Sequence, residues 1–255
     1  MCLVVWAWQV SAATPLVLVG HRDEFHARAT APMAWWRAPR LLGGRDLEAG
    51  GTWLGVDDRG RYGIITNLRG AAVPAGAPSR GTLIPRFLGG DAAPGAFAAA
   101  VAAEAERYAG FSLLLGDRRE LWYVSNGDAA LARQLPPGLY GLSNAPLGVD
   151  WPKVRQARQR LAARLAAPVE DPEALLALLD DRAPAVDAEL PDTGIDLDTE
   201  RRLSASFIVD PRYGTRAATA LVLDAGGGGQ VVERSHGPDG AATGTRRFRL
   251  DPDGG

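Results

Sequence analysis

The chain has 255 residues, 46% of them hydrophobic and 23% charged, with 28 basic against 30 acidic side chains and a formal net charge of −2. This is the composition of an ordinary globular protein, long enough for a real core in one large domain or two small ones. No apolar run reaches the roughly 18 residues of a membrane span, no basic excess favours non-specific nucleic-acid binding, and the single cysteine, Cys2, excludes a disulfide framework and a cysteine-built zinc cage.

The first apolar run, Cys2–Trp8, lacks the basic flank and clean cleavage site of a signal peptide. It predicts a buried strand ending near Val10, and a cytoplasmic location is the expectation. Cys2 directly follows Met1. Cysteine is small enough for methionine aminopeptidase to remove Met1, which would leave a thiol and a free α-amine on one residue. With reference pKa values of about 7.7–8.0 and 8.5, the amine can serve as base for its own thiol, as in N-terminal nucleophiles. The plainer alternative is a small buried hydrophobe at a strand start.

A second strand, Leu16–Gly20, follows a turn at Ser11–Pro15 and leads into the polar cluster His21-Arg22-Asp23-Glu24-Phe25-His26. Pairing of these two strands would bring Arg22 and Asp23 near the amino terminus. A neighbouring arginine favours thiolate, and a carboxylate could hold or orient the amine. Asp23 and Glu24 compete for that role, because adjacent residues of an extended strand face opposite ways. His21 and His26 flank these carboxylates, but their spacing is not a metal-ligand signature, and no metal site is expected.

Glycine-punctuated stretches at 43–46 and 50–56 lead into a strand, and Asp57–Gly60 turns into another at Tyr62–Asn67. Residues 70–81 read as loop. A helix is predicted over Pro94–Tyr108, with Phe97, Val101, Ala105 and Tyr108 on one face. Strands at 111–115 and 120–125 surround Gly116-Asp117, Asn126-Gly127 marks a turn, and a further strand covers 139–143. Helix 152–166 turns Val154, Ala157, Leu161 and Leu165 inward, leaving Lys153, Arg155, Arg158, Arg160 and Arg164 on a solvated face. A short helix covers 171–181. Residues 170–200 hold eleven acidic residues against Arg182 alone, and 182–200 read as a surface loop. Strands resume at 203–209, 217–223, 230–234 and 246–250, before a frayed tail at 251–255. The Gly226–Gly229 run has no following Lys-Ser/Thr and reads as a hairpin loop rather than a phosphate loop. This order predicts an α+β fold with largely antiparallel sheets enclosed by helices.

Taken together, Met1-Cys2-Leu3, Arg22-Asp23-Glu24-Phe25, Gly44-Arg45-Asp46 and Gly50-Gly51-Thr52-Trp53-Leu54-Gly55 resemble the NRDE family, also called the Transport and Golgi organisation protein 2 family. Thr66-Asn67, Gly141-Leu142-Ser143-Asn144 and Tyr213-Gly214-Thr215-Arg216 are similar to its later motifs, so the likeness runs from residue 1 to about 235. One departure is His21, which stands where the family motif begins with asparagine. The resemblance implies a single N-terminal-nucleophile hydrolase-type αββα sandwich over 1–250, and more distantly the choloylglycine and acid-amide hydrolases. Those use an N-terminal cysteine, an Arg and Asp after the second strand, and asparagines around the oxyanion. On that basis Cys2, Arg22, Asn144 and either Asp23 or Glu24 are candidate catalytic residues. His21, Trp53, Asn67 and Arg216 are candidate substrate contacts.

The activity so implied is hydrolysis of an amide or thioester without a required cofactor. The family is also linked to haem trafficking and to lipid or acyl-CoA homeostasis, which gives the alternative of a non-catalytic carrier of haem or an amphipathic acyl ligand. His21, His26, Cys2 and Met33 are then the inventory of iron ligands, and the seven tryptophans could line a flat pocket or simply pack the core. A third reading is a scaffold that uses the basic 153–164 helix. The expected partner is a small-molecule or amphipathic ligand, not nucleic acid or a membrane span; the sequence sets no oligomeric state.

Overall fold

A computed structural model describes residues 2–127 and 131–251, apart from the side chain of Cys2. Met1 and all of the expected tail except Asp251 lie outside the described residues. In chain order the strands are β1 (Cys2–Trp8), β2 (Leu16–Phe25), β3 (Thr30–Trp35), β4 (Leu42–Asp46), β5 (Leu54–Val56), β6 (Tyr62–Asn67), β7 (Phe111–Gly116), β8 (Leu121–Ser125), β9 (Ala132–Gln134), β10 (Gly138–Leu142), β11 (Tyr213–Leu223), β12 (Gly229–His236) and β13 (Ala242–Leu250). The helices are α1 (Leu83–Leu88), α2 (Pro94–Ala103), α3 (Pro152–Arg164), α4 (Glu173–Leu176) and α5 (Leu197–Ser204).

The strands form two antiparallel sheets, β10-β1-β2-β11-β12-β13 and β3-β4-β5-β6-β7-β8-β9. Alternation along each strand explains why both are buried on two faces. In β1, Val4, Trp6 and Trp8 enter the core between the sheets, while Leu3, Val5 and Ala7 pack under α3 and α4 against Val154, Ala157, Leu161 and Leu175. In the second sheet, Ile64 and Leu114 face the first sheet, whereas Ile65, Leu113 and Leu115 meet Phe87 of α1 and Val101 of α2. The result is four layers, α-β-β-α. Burying each valine or leucine side chain stabilises by about 1.5–3 kcal/mol, so every layer depends on its neighbours. No helix among the described residues is long and apolar enough to cross a membrane.

Several local expectations are corrected. The polar cluster 20–25 is not a strand terminus but the second half of β2. Residues 203–209 are no strand: α5 runs to Ser204, after Asp196 caps its start by accepting from the Thr199 N–H at 2.9 Å, and irregular chain follows. The predicted 94–108 helix stops at Ala103 and continues as a 3₁₀ turn, though its predicted face is buried. Strands β3, β4 and β9 and helix α1 were not expected. β3 contains Pro32, which is tolerated because β3 is an edge strand with a bulge between Ala31 and Ala34.

The charge runs also find partners. Lys153 is not on a solvated face but 2% exposed, and its Nζ donates to the Leu203 carbonyl at 2.8 Å. Arg155 pairs with Glu189, Arg160 with Asp181, Arg201 with Asp187, and Arg234 and Arg247 with Glu173. Buried Arg69 pairs with buried Glu200. The acidic 170–200 segment is therefore a strap laid over arginines of α3 and the β12–β13 hairpin.

Candidate functional site

At one end of the sandwich the inward positions stop being apolar. Along β2, Leu16 and Leu18 give way to Gly20, Arg22 and Glu24; along β12, Val231 gives way to Glu233; along β13, Phe248 gives way to Arg246. Register aligns these changes. Cys2 is opposite Arg22, Arg22 is opposite Ala217, and Glu233 is opposite Arg246. A bulge between Thr215 and Ala217 lifts Arg216 out of the β2–β11 ladder and over the same end.

Arg22 is the hub. It is 5% exposed, its guanidinium lies 4.6 Å from the Trp53 ring centroid, and Nη1 donates to Thr30 Oγ1 at 3.2 Å. Its Nη2 stands 3.5 Å from Asp46 and 3.7 Å from Glu24. Arg28 binds the same Asp46 oxygen at 2.7 Å. Partial burial pushes the Asp46 carboxyl up, but bonds from Arg28 and from the Ala49 and Glu48 N–H groups outweigh it and hold the group below the usual carboxylate range. Arg216 donates to the Phe25 and Arg28 carbonyls and to Thr30 Oγ1; burial and the nearby Arg22 charge lower its pKa.

The glycine motifs have steric causes. A Cβ on Gly44 would sit 2.1 Å from the Trp53 ring, and one on Gly51 would sit 2.4 Å from the backbone of Gly81. Gly44 thus makes room for Trp53, and Gly51 lets the 78–81 loop close over the site, where the Thr52 N–H donates to the Gly81 carbonyl at 3.0 Å. Gly214 is equally constrained by the Ile208 carbonyl, 2.7 Å from its missing Cβ. Next to it, Thr215 Oγ1 donates to Asp23 Oδ1 at 2.7 Å and Tyr213 Oη donates to the Asp23 carbonyl at 3.1 Å. The Tyr213–Arg216 motif therefore clamps the second half of β2.

A cavity of about 450 Å³ opens here, lined among others by Arg22, Glu24, Arg28, Asp46, Trp53 and Asn67. Asn144, buried at the end of β10, donates from Nδ2 to Oδ1 of Asn67 at 2.8 Å and to its carbonyl at 3.1 Å. Since Asn67 accepts through Oδ1, its own Nδ2 donors are available to a ligand in the cavity. Asn67 also lines a larger, mainly apolar cavity of about 640 Å³ with Phe25, Leu203, Ile208 and Tyr213.

The structure thus brings together Arg22, Asp23, Glu24, Trp53, Asn67, Asn144 and Arg216, and sets the backbone of Cys2 against Arg22. Asp23 and Glu24 part as strand alternation requires. Glu24 faces Arg22 and Arg28, while the Asp23 carboxylate is buried against Thr215. His21, expected as a substrate contact, does not join them. It lies on the helix-facing side of β2, edge-on to Phe207, with Nδ1 against the Ser206 carbonyl at 3.0 Å. Burial lowers its pKa, against the opposing effect of Asp23. Sequence reasoning gave no role to Arg28, Glu233 or Arg246. Only Asp46 carried a signal, as part of the Gly44-Arg45-Asp46 motif. Among the described residues no group of three or more His, Cys, Asp or Glu side chains is placed to hold a metal ion.

A family model described as Transport and Golgi organisation 2 matches residues 1–238. The chain is similar to the Bos taurus Transport and Golgi organization protein 2 homolog, at 33% identity over 255 residues and 92% of each chain. It is 31% identical to the Homo sapiens homolog over 237 residues, 86% of each. Among solved structures, a mutant of the conjugated bile acid hydrolase from Clostridium perfringens superposes with a TM-score of 0.52 over 99% of this chain and 98% of that one, at 7% identity. That likeness is one of fold, and the fold is the N-terminal-nucleophile hydrolase type. The matching family model and these relatives, which span nearly the whole chain, make it a member of the Transport and Golgi organisation 2 family.

Proposed function

We propose that the chain is a cytoplasmic hydrolase of an amide or thioester, with Cys2 as nucleophile once Met1 is removed. The observation that carries this reading is the register of β1 on β2, which sets Cys2 opposite a buried arginine at the mouth of a cavity. Arg22 would favour the thiolate. The Cys2 amine would take the thiol proton, the resulting thiolate would attack the carbonyl carbon, and the ammonium would then give that proton to the leaving amine or thiol. Water would then cleave the acyl-cysteine. Asp23, next to Arg22 and fixed by Thr215, would hold the amine. The Asn144–Asn67 pair would supply donors to the oxyanion. Glu24 is engaged with Arg22 and Arg28 and would position the arginines.

Intact mass is the first test, followed by turnover on a panel of amides and thioesters. The expected results are loss of one methionine residue, activity abolished in Cys2→Ala with the fold intact, and a loss of about 10²–10³ in kcat for Asn67→Ala. Retained Met1, or full activity in Cys2→Ala, would refute the reading.

The larger apolar cavity supports a second reading, a carrier of an amphipathic ligand. Phe25 is 58% exposed at its wall, with Arg202 and Arg212 also lining it. For haem, His26 is the candidate axial ligand, since it lines this cavity. His21 and Met33 are buried away from this cavity, and the buried Nε2 of His26 lies against Gly214. Titration with haem and with a long-chain fatty acid separates the readings. A carrier binds with Met1 still in place, and haem ligated by protein shifts its absorbance.

A further inference from the structure

A third cavity, about 280 Å³, shares Arg22 and Trp53 with the first but opens between β3 and the β11–β13 side of the other sheet. Its lining includes Arg22, Arg216, Arg246, Ser235, Thr243 and Glu233. Nη1 of Arg22 and Nη1 of Arg216 converge on one hydroxyl, Thr30 Oγ1, at 3.2 and 3.1 Å. Arg246 stands across from Glu233 in the β12–β13 register and donates Nη1 to the Met33 carbonyl at 3.2 Å. Same-face placement follows from cross-strand pairing.

The charges here do not balance. Arg22 has its carboxylates, Glu24 and Asp46, on the side of the first cavity. Arg216 and Arg246 have no carboxylate within 4.0 Å among the described residues. Glu233 is the lone carboxylate lining this cavity, and its oxygens already accept from the Met33 N–H at 2.6 Å and Thr219 Oγ1 at 3.4 Å. Burial moreover raises its pKa toward the neutral form. With Arg22 compensated by Glu24 and Asp46, the guanidiniums of Arg216 and Arg246 still face one committed carboxylate, an excess of at least one positive charge beside a third guanidinium. Guanidinium forks match the oxygen geometry of carboxylates and phosphates, and such a field draws in anions.

We propose that this cavity is an anion subsite that binds the phosphate or carboxylate group of a small-molecule ligand. The inference goes beyond the hydrolase reading, since it holds whether or not Cys2 acts as a nucleophile. It also assigns a role to β13, because Arg246 lies beyond residue 238, where the family match ends.

The test is calorimetric titration of the full chain with inorganic phosphate and, separately, with succinate, at constant ionic strength set by sodium chloride. Saturable binding of at least one anion is expected, and the tighter of the two assigns the ligand's group. Arg246→Gln should weaken it about tenfold, while loss of the bond to the Met33 carbonyl lowers the thermal midpoint in chloride by only about 2–4 °C. Arg249→Gln removes an exposed charge from the same strand outside the cavity lining and should leave binding unaltered. Absence of saturable binding by either anion, an unaffected Arg246→Gln variant, or an equal loss in Arg249→Gln would each overturn the proposal.

Discussion

Replacing Gly44 with alanine tests whether the site is organised around Trp53. The added Cβ would meet three atoms of the Trp53 ring at 2.1, 2.3 and 3.0 Å. Favourable carbon contacts lie near 3.5–4.0 Å, so the ring must withdraw by more than about 1 Å. Overpacking of this kind costs about 1–3 kcal/mol. Withdrawal also takes the ring from the Arg22 guanidinium, now 4.6 Å from its centroid, at about 0.5–2 kcal/mol for a partly desolvated cation–π pair. In a chain of this size 1 kcal/mol corresponds to about 2–4 °C in melting temperature, so Gly44→Ala should melt several degrees lower. The decisive assay is a double-mutant cycle in urea. In a Trp53→Ala background the clash has no partner, and Gly44→Ala should become nearly neutral. An equal cost in both backgrounds, or no cost in either, would refute the reasoning.

Two further outcomes are expected. Lys153→Met removes the buried donor to the Leu203 carbonyl in the last turn of α5 and should cost about 1–3 kcal/mol in urea denaturation; an unchanged midpoint would show that this bond does not hold α5 to α3. Burial sets the folded pKa of His21 below its unfolded value near 6.5, so the unfolded chain takes up the proton first. The neutral histidine's contribution is therefore present above about pH 6.5 and lost as pH falls through the folded value, by up to about 1.4 kcal/mol per pH unit. His21→Asn keeps a donor for the Ser206 carbonyl but cannot titrate, and should flatten the stability profile between pH 6.5 and 5. His26 and His236, also lowered first by burial, leave a residual slope in both proteins, and Glu233, raised by burial, opposes it in both. Identical slopes would exclude His21 as a source of acid sensitivity.

The elements legible in the sequence were those whose pattern is strictly local. The alternation of β1, the period of α3 and the Asp57–Gly60 turn each announce themselves within a few residues. What escaped was set by distant chain. β4 reads as glycine-rich loop because Gly43 and Gly44 lack side chains, yet those positions are bare so that the Leu54 carbonyl and the Trp53 ring can approach. Lys153 looks like one more cation on a basic helix, and only the return of the chain at Leu203 makes it an interior donor. His21 next to Arg22 reads as part of one polar cluster. Strand alternation sends it to the other side of the sheet, against Phe207, which lies 186 residues later in the chain.

A net charge of −2 hides this distribution. The conspicuous runs are the ones that cancel: Asp181 and Glu189 neutralise arginines of α3, and Glu173 neutralises arginines of β12 and β13. Ion pairs at such exposed positions contribute little each, and they account for most of the acidic segment without invoking a function. The imbalance sits instead on Arg22, Arg216 and Arg246, in three strands that register brings to one end of the sandwich. Charge left unpaired near a cavity, rather than charge that is abundant, is what separates the candidate site from the solvated surface of this chain.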